Sequence, residues 1–176
     1  MKILLPVDGS PNALAAVAHA LRLVAAGLSA DFVLINVQEP ANLYELVVAH
    51  DADVIEQVRG AAGADLLQPA EAMLSDAGQR WESEVAGGDP AHMLLELVER
   101  YGCQAVVMGA TGGPDAGSAS SSHVGAVALA LLQRCAVPVT VVRLSAMATG
   151  EAGEAGEKAE AEADDSGSGS GSGSGA

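Results

Sequence analysis

The sequence predicts an α/β fold: an open five-stranded parallel sheet in a single domain, with helices on both faces and a disordered C-terminal tail. Three observations carry this. Short continuous apolar runs recur along the chain, segments with helical spacing separate them, and Ser-Pro, Asp-Pro and Gly signals mark the boundaries. The length of 176 residues suits one domain plus an appendage. Hydrophobic residues make up 49% but aromatics only 2%, so the core must be built from Ala, Val, Leu and Ile.

Ile3-Leu4-Leu5-Pro6-Val7 reads as a strand buried on both faces, with Pro6 tolerable only near its end. Ser10-Pro11 supplies an N-cap and a first helical residue. The helix that follows aligns Leu14, Val17, Ala18, Leu21 and Val24 or Ala25, and Gly27 closes it. Phe32 to Val37 is a second buried strand, left through a loop from Gln38 to about Asn42. From roughly Tyr44 to Ala77 the helical positions are Val54, Ile55, Val58, Ala61, Ala62, Leu66, Met73 and Leu74. Gly60 and Gly63 weaken this helix, and Pro69 is expected to kink or split it. Trp81 to Ala86 alternates as a half-exposed edge strand does. Asp89-Pro90 then caps a helix over 91–101 that buries Met93, Leu94, Leu97 and Val98. Cys103 to Gly109 forms a fourth strand, Val124 to Arg134 a helix, and Val139 to Val142 the last strand.

The composition changes after Leu144, and the domain is expected to span 1–145 with a disordered acidic, Ser/Gly-rich tail over 146–176. From Glu151 onward the chain holds seven acids and Lys158 among Ala, Gly and Ser, too little apolar area to offset ordering. Its plainest role is to solubilise. A formal net charge of −15 argues against nucleic acid or anionic lipid as the main partner. No apolar run approaches the roughly 18–20 residues of a membrane span, and the amino terminus lacks a signal peptide's apolar region. A cytoplasmic location is expected.

In a doubly wound sheet the binding crevice lies beyond the carboxyl ends of the strands, which directs attention to Asp8, Val37 and Gly109 onward. The loop after the fourth strand contains Gly109, Ala110, Thr111, Gly112 and Gly113 and continues through a Ser-rich stretch to Ser122. Its glycines allow backbone N–H groups to converge on an anion, and the next helix N-terminus adds donors. A flexible connector would have the same composition. Asp8 could accept a base amino group, hold a metal ion, or merely stabilise its own turn.

Established signatures are absent: neither G-x-x-x-x-G-K-[ST] nor G-x-G-x-x-G occurs. His19, His50, His92 and His123 form no metal-ligand spacing and read as surface or helix residues. Ser122 and His123 are neighbours in sequence, which makes no triad, and there is no nucleophile elbow. Cys103 and Cys135 read as small apolar fillers, with neither disulfide nor metal spacing. No catalytic residue and no metal site is assigned. A phosphoryl-receiver domain would need a second acid beside Asp8, an Asp after the third strand and a Lys after the fifth. Val7 and Gly9, Gly87-Gly88 and Arg143 stand there instead.

Taken in order, five segments resemble the universal stress protein family over residues 1–143. They are Ile3 to Ser10, Leu34 to Val37, Gly87 to Pro90, Val106 to Gly112, and Val137 to Arg143. The resemblance implies strand order 3-2-1-4-5 and a homodimer paired through the last strand, with Val139 and Val141 at the interface. It also implies an ATP-binding motif similar to G-x2-G-x9-G-[ST]. Gly109 and Gly112 match its first half. Ser122-His123 occupy its second half in one register; Gly125-Ala126 occupy it in another, which lengthens the loop by three residues and keeps the helix length. The second register is preferred, although Ala126 then lacks the expected hydroxyl.

The expected nucleotide site is therefore Pro6, Val7, Asp8, Val37, Met108, Gly109, Ala110, Thr111, Gly112, Gly113, Gly125, Ala126 and Val127. Asp8 would face adenine, with Val37 giving a backbone contact and Pro6-Val7 the apolar walls. The loop has no Lys or Arg and contains Asp115, so backbone dipoles or magnesium would meet the phosphate charge. The lead expectation is a non-catalytic stress-response protein binding ATP, ADP or AMP between the first and fourth strands. The alternative is a nucleotide-free dimerisation module with a degenerate motif. A weak ATP hydrolase is the furthest enzymatic reading and lacks a recognisable base or arginine finger.

Overall fold

The first strand, β1 (Lys2–Pro6), ends on a residue that has no N–H to give, and the ladder passes to Val7, whose N–H reaches the Ile35 carbonyl at 2.8 Å. Pro6 thus stands where its missing donor does least harm. The structure, a computed structural model, describes residues 1–39, 52–113 and 123–144, with side chains in the long helix from residue 57 onward. Then come α1 (Pro11–Ala25), β2 (Asp31–Gln38), α2 (Ala52–Asp76), β3 (Trp81–Gly87), α3 (Pro90–Arg100), β4 (Ala105–Gly109), α4 (Ala126–Arg134) and β5 (Val139–Val142). All strand pairs are parallel, in the order β3-β2-β1-β4-β5. The expected doubly wound sheet is present.

Side chains of successive strand residues point to opposite faces, and both faces are buried, which is why the strands read as unbroken apolar runs. Ile3, Leu5, Phe32, Leu34 and Val107 join α1 and α2 in one core layer. Leu4, Val33, Ile35, Val106 and Met108 join α3 and α4 in the other. The expected caps also form. Ser10 Oγ accepts from the Ala13 N–H at 3.2 Å, and Asp89 Oδ1 accepts from the His92 N–H at 2.8 Å.

The helix faces differ from expectation in ways that packing explains. In α1 the buried residues are Asn12, Ala13, Ala16, Val17 and Ala20; of the expected stripe only Val17 is fully buried. Leu14, Leu21 and Val24 pack at the rim of that layer. An alanine face lets the helix lie close on the sheet, and the larger side chains then fill the flanks. In α2 the buried line is Gly63, Leu67, Ala70 and Leu74, while Ala61, Ala62 and Val58 are exposed and Leu66 borders solvent. Gly63 is required there. A Cβ would stand 2.5 Å from Val85 Cγ1 and 2.8 Å from Asn36 Oδ1, so only glycine lets α2 settle on β2 and β3. The helix also runs through Pro69 as one element, whose side chain is exposed. Expectations for Val54 and Ile55 fall outside the described side chains, and those for Tyr44 outside the described residues.

Two boundaries shift by two residues. Cys103 is buried but precedes β4, because its N–H closes α3 on the Val98 carbonyl at 2.9 Å. Helix α4 begins at Ala126 rather than Val124, because the Gly125 N–H is bonded to the Ala110 carbonyl at 2.8 Å. Met93, expected in the core, is half-buried at its edge. One compact unit covers Met1–Leu144, and the expected tail over 146–176 lies outside the described residues. Among the described residues no helix is long and apolar enough to cross a membrane.

Candidate functional site

Asp8 follows β1 and uses both carboxylate oxygens on backbone donors. Oδ1 accepts from the Ser10 N–H at 3.0 Å, an Asx-type turn. Oδ2 accepts from the Gly113 N–H at 3.0 Å, across 105 residues of sequence. The end of β1 and the glycine loop after β4 therefore meet directly. Gly112 makes the approach possible, since a Cβ there would lie 2.2 Å from Asp8 Oδ2.

Two buried asparagines pin the strand ends around this meeting point. Asn36, 2% exposed, donates from Nδ2 to the Val7 carbonyl at 2.7 Å and accepts from Gln38 Nε2 at 2.6 Å. Asn12, 4% exposed, donates to Thr111 Oγ1 at 2.7 Å and accepts from the Leu144 N–H at 2.9 Å. Each replaces the water that a polar group loses on burial, and together they fix β1 against β2 and α1 against the loop and the exit of β5. No described buried side-chain nitrogen or oxygen lacks a partner.

Between these walls lies a cavity of about 480 Å³, within the range of small-ligand sites. All thirteen residues expected at the site line it, from Pro6, Val7 and Asp8, through Val37, to Met108–Gly113 and Gly125–Val127. Its apolar lining includes Val7, Ile35, Val37, Pro90 and Met108. The glycine loop to Gly113 and the first turn of α4 line it as well. Gly125 is the N-cap of α4 and offers no side-chain acceptor to that turn, so its N–H groups keep their capacity for an incoming anion. Gly125 also stands at the helix start, as the preferred register requires. Ser122 and Asp115 lie outside the described residues.

The lining includes residues that sequence reasoning did not pick out. Glu39, just past β2, and His123, before α4, both border the cavity, as do Ser10 and Ile35. His123 is exposed, as expected of a surface residue, yet it lines the cavity. Asn36 carried a readable signal, being the one amide inside a continuous apolar strand. His123 falls in the second half of the motif only in the register that is not preferred. Asn12 and Glu39 carried no signal, because their places depend on how loops from different strands converge. Among the described residues no group of three or more His, Cys, Asp or Glu could hold a metal ion. Magnesium at this site would therefore rest chiefly on a ligand's phosphates and on water, with Asp8 and Glu39 as the available carboxylates.

Val139 and Val141, expected at a dimer interface, are half-buried and pack on the α3–α4 side of the core, while Thr140 between them is exposed. β5 is an edge strand of the sheet, paired only with β4 among the described residues.

Comparison with known proteins gives a consistent picture. The model of the universal stress protein family matches residues 1–143. A universal stress protein of Methanocaldococcus jannaschii is 27% identical over 142 residues, 81% of each chain. The universal stress protein UspA of Lactobacillus plantarum has a similar structure, with TM-score 0.64, 20% identity, and coverage of 81% of this chain and 97% of that one. A universal stress protein family member of Arabidopsis thaliana, solved with AMP bound, has TM-score 0.56 and 18% identity, covering 84% and 94%.

Proposed function

Since the chain belongs to the universal stress protein family, we propose that it is a non-catalytic regulatory protein that binds an adenine nucleotide in the cavity between β1 and β4. One observation carries this reading: the cavity of about 480 Å³ is lined both by apolar side chains and by the glycine loop and first turn of α4. The adenine ring would lie between Val7 and Val37, with its amino group near Asp8. A carboxylate has about four lone-pair sites, so two backbone bonds leave capacity for a third. The phosphate would meet the loop to Gly113 and the first turn of α4. The AMP-bound Arabidopsis relative supports the choice of ligand class. A bound nucleotide would act by stabilising the conformation it prefers.

Thermal-shift titration and equilibrium dialysis with ATP, ADP and AMP, with and without magnesium, test the proposal. Saturable binding that weakens in Asp8→Ala is expected. No shift and no retention at millimolar nucleotide would overturn it. Phosphate release from ATP is expected to match an Asp8→Ala control.

The second reading, a nucleotide-free dimerisation module within the same family, draws on two observations. The Asp8 carboxylate is already engaged by Ser10 and Gly113, and Ala126 has no hydroxyl to offer a phosphate. On this reading Asp8→Ala leaves function intact, whereas substitutions on β5 abolish it.

A further inference from the structure

We propose that this cavity prefers a nucleoside monophosphate to a triphosphate, and that His123 supplies the one basic side chain among its described lining residues. This rests on the adenine-site reading above and deepens it.

The charges that line the cavity are Asp8, at the end of β1, and Glu39, beyond β2. No Lys or Arg is among the described lining residues, and segments 40–51 and 114–122 contain neither. The second of these segments contains Asp115 instead. From the remaining walls, α3 contributes Pro90 and α4 contributes Ala126, Val127 and Ala128, none of them charged. The Arg59 guanidinium of α2 donates to the Glu39 carbonyl, and Arg143, beyond β5, is exposed and outside the lining.

Such a site can neutralise only a limited anion. The uncapped first turn of α4 offers roughly half a positive charge, and an imidazolium at position 123 raises that to about one and a half. A monophosphate is nearly matched. Each further phosphate adds charge that no basic side chain meets and that two carboxylates oppose. His123 is exposed and lines the cavity.

The test is calorimetric titration of the full chain with adenosine, AMP and ATP in magnesium-free buffer at pH 6 and pH 8. It compares the wild type with His123→Gln and Glu39→Gln. AMP should bind about five- to tenfold more tightly than ATP, as a few exposed charge pairs would give. His123→Gln should weaken AMP about fivefold at pH 6, leaving adenosine unchanged. The comparison with the variant at each pH removes the titration of the phosphate itself. Glu39→Gln should narrow the gap between AMP and ATP. ATP binding as tightly as AMP, or a His123→Gln variant indistinguishable at both pH values, overturns the preference while the adenine site stands. Failure of folded wild-type protein to bind any of the three overturns the site itself.

Discussion

Asn36 shows how one buried side chain holds two strand ends together. Its amide holds the Val7 carbonyl at the floor of the cavity, and a buried carbonyl left without a donor costs about 1–3 kcal/mol. Asn36→Ala is expected to lose about that much stability in a denaturant titration. Two other residues set the alkaline limit. Hydrogen bonding to Glu84, followed by burial, raises the Tyr101 hydroxyl above its ordinary value near 10. Burial raises the Cys103 thiol above its ordinary value near 9. In both cases the fold favours the protonated form. The stability they contribute is fully present below those ordinary values and is lost as pH rises through the raised ones. Unfolding followed from pH 8 to 11 should therefore show falling stability, with a shallower slope in Tyr101→Phe and in Cys103→Ala.

At the scale of elements, α2 holds a proline in its interior, where the ring removes a helix hydrogen bond and crowds the preceding turn. Pro69 is exposed, so replacing it opens no cavity. Pro69→Ala should raise stability by about 1–3 kcal/mol, the helix preference less the entropy regained by the unfolded chain. A loss of stability on thermal melting would show instead that the proline shapes how α2 lies on β2 and β3. Apolar spacing located the strands, because a strand buried on both faces admits little else. The same spacing misjudged the helix faces. In α1 and α2 two neighbouring stripes are both apolar, and the choice falls to Ala13, Ala16 and Ala20 or to Gly63 because close approach favours the smaller side chain. Propensity alone does not register that geometric preference.

At the scale of the whole molecule, β5 is an edge strand among the described residues, and a strand edge is a template for a second copy. Homodimerisation through it is expected, and analytical ultracentrifugation checks it. Because Val139 and Val141 also pack on the core, Val141→Asp should be paired with Thr140→Lys, whose position is exposed. Both variants should sediment as monomers, with melting preserved in Thr140→Lys. A wild-type monomer at micromolar concentration would refute the pairing.

By itself the sequence determined the alternation of strands and helices, their caps at Ser10 and Asp89, and the strand ends where a crevice must open. Those features are local, written in apolar runs and in residues that satisfy helix termini. The thirteen positions that line the cavity were legible because they cluster at strand ends and at one glycine-rich turn, with family resemblance supplying their register. Tertiary structure alone decided that Asp8 grips the Gly113 N–H, that Asn12 and Asn36 lock the walls, and that Glu39 and His123 line the same cavity. These are contacts between segments as many as 132 residues apart, and no local pattern encodes a distance that exists only after the sheet has assembled.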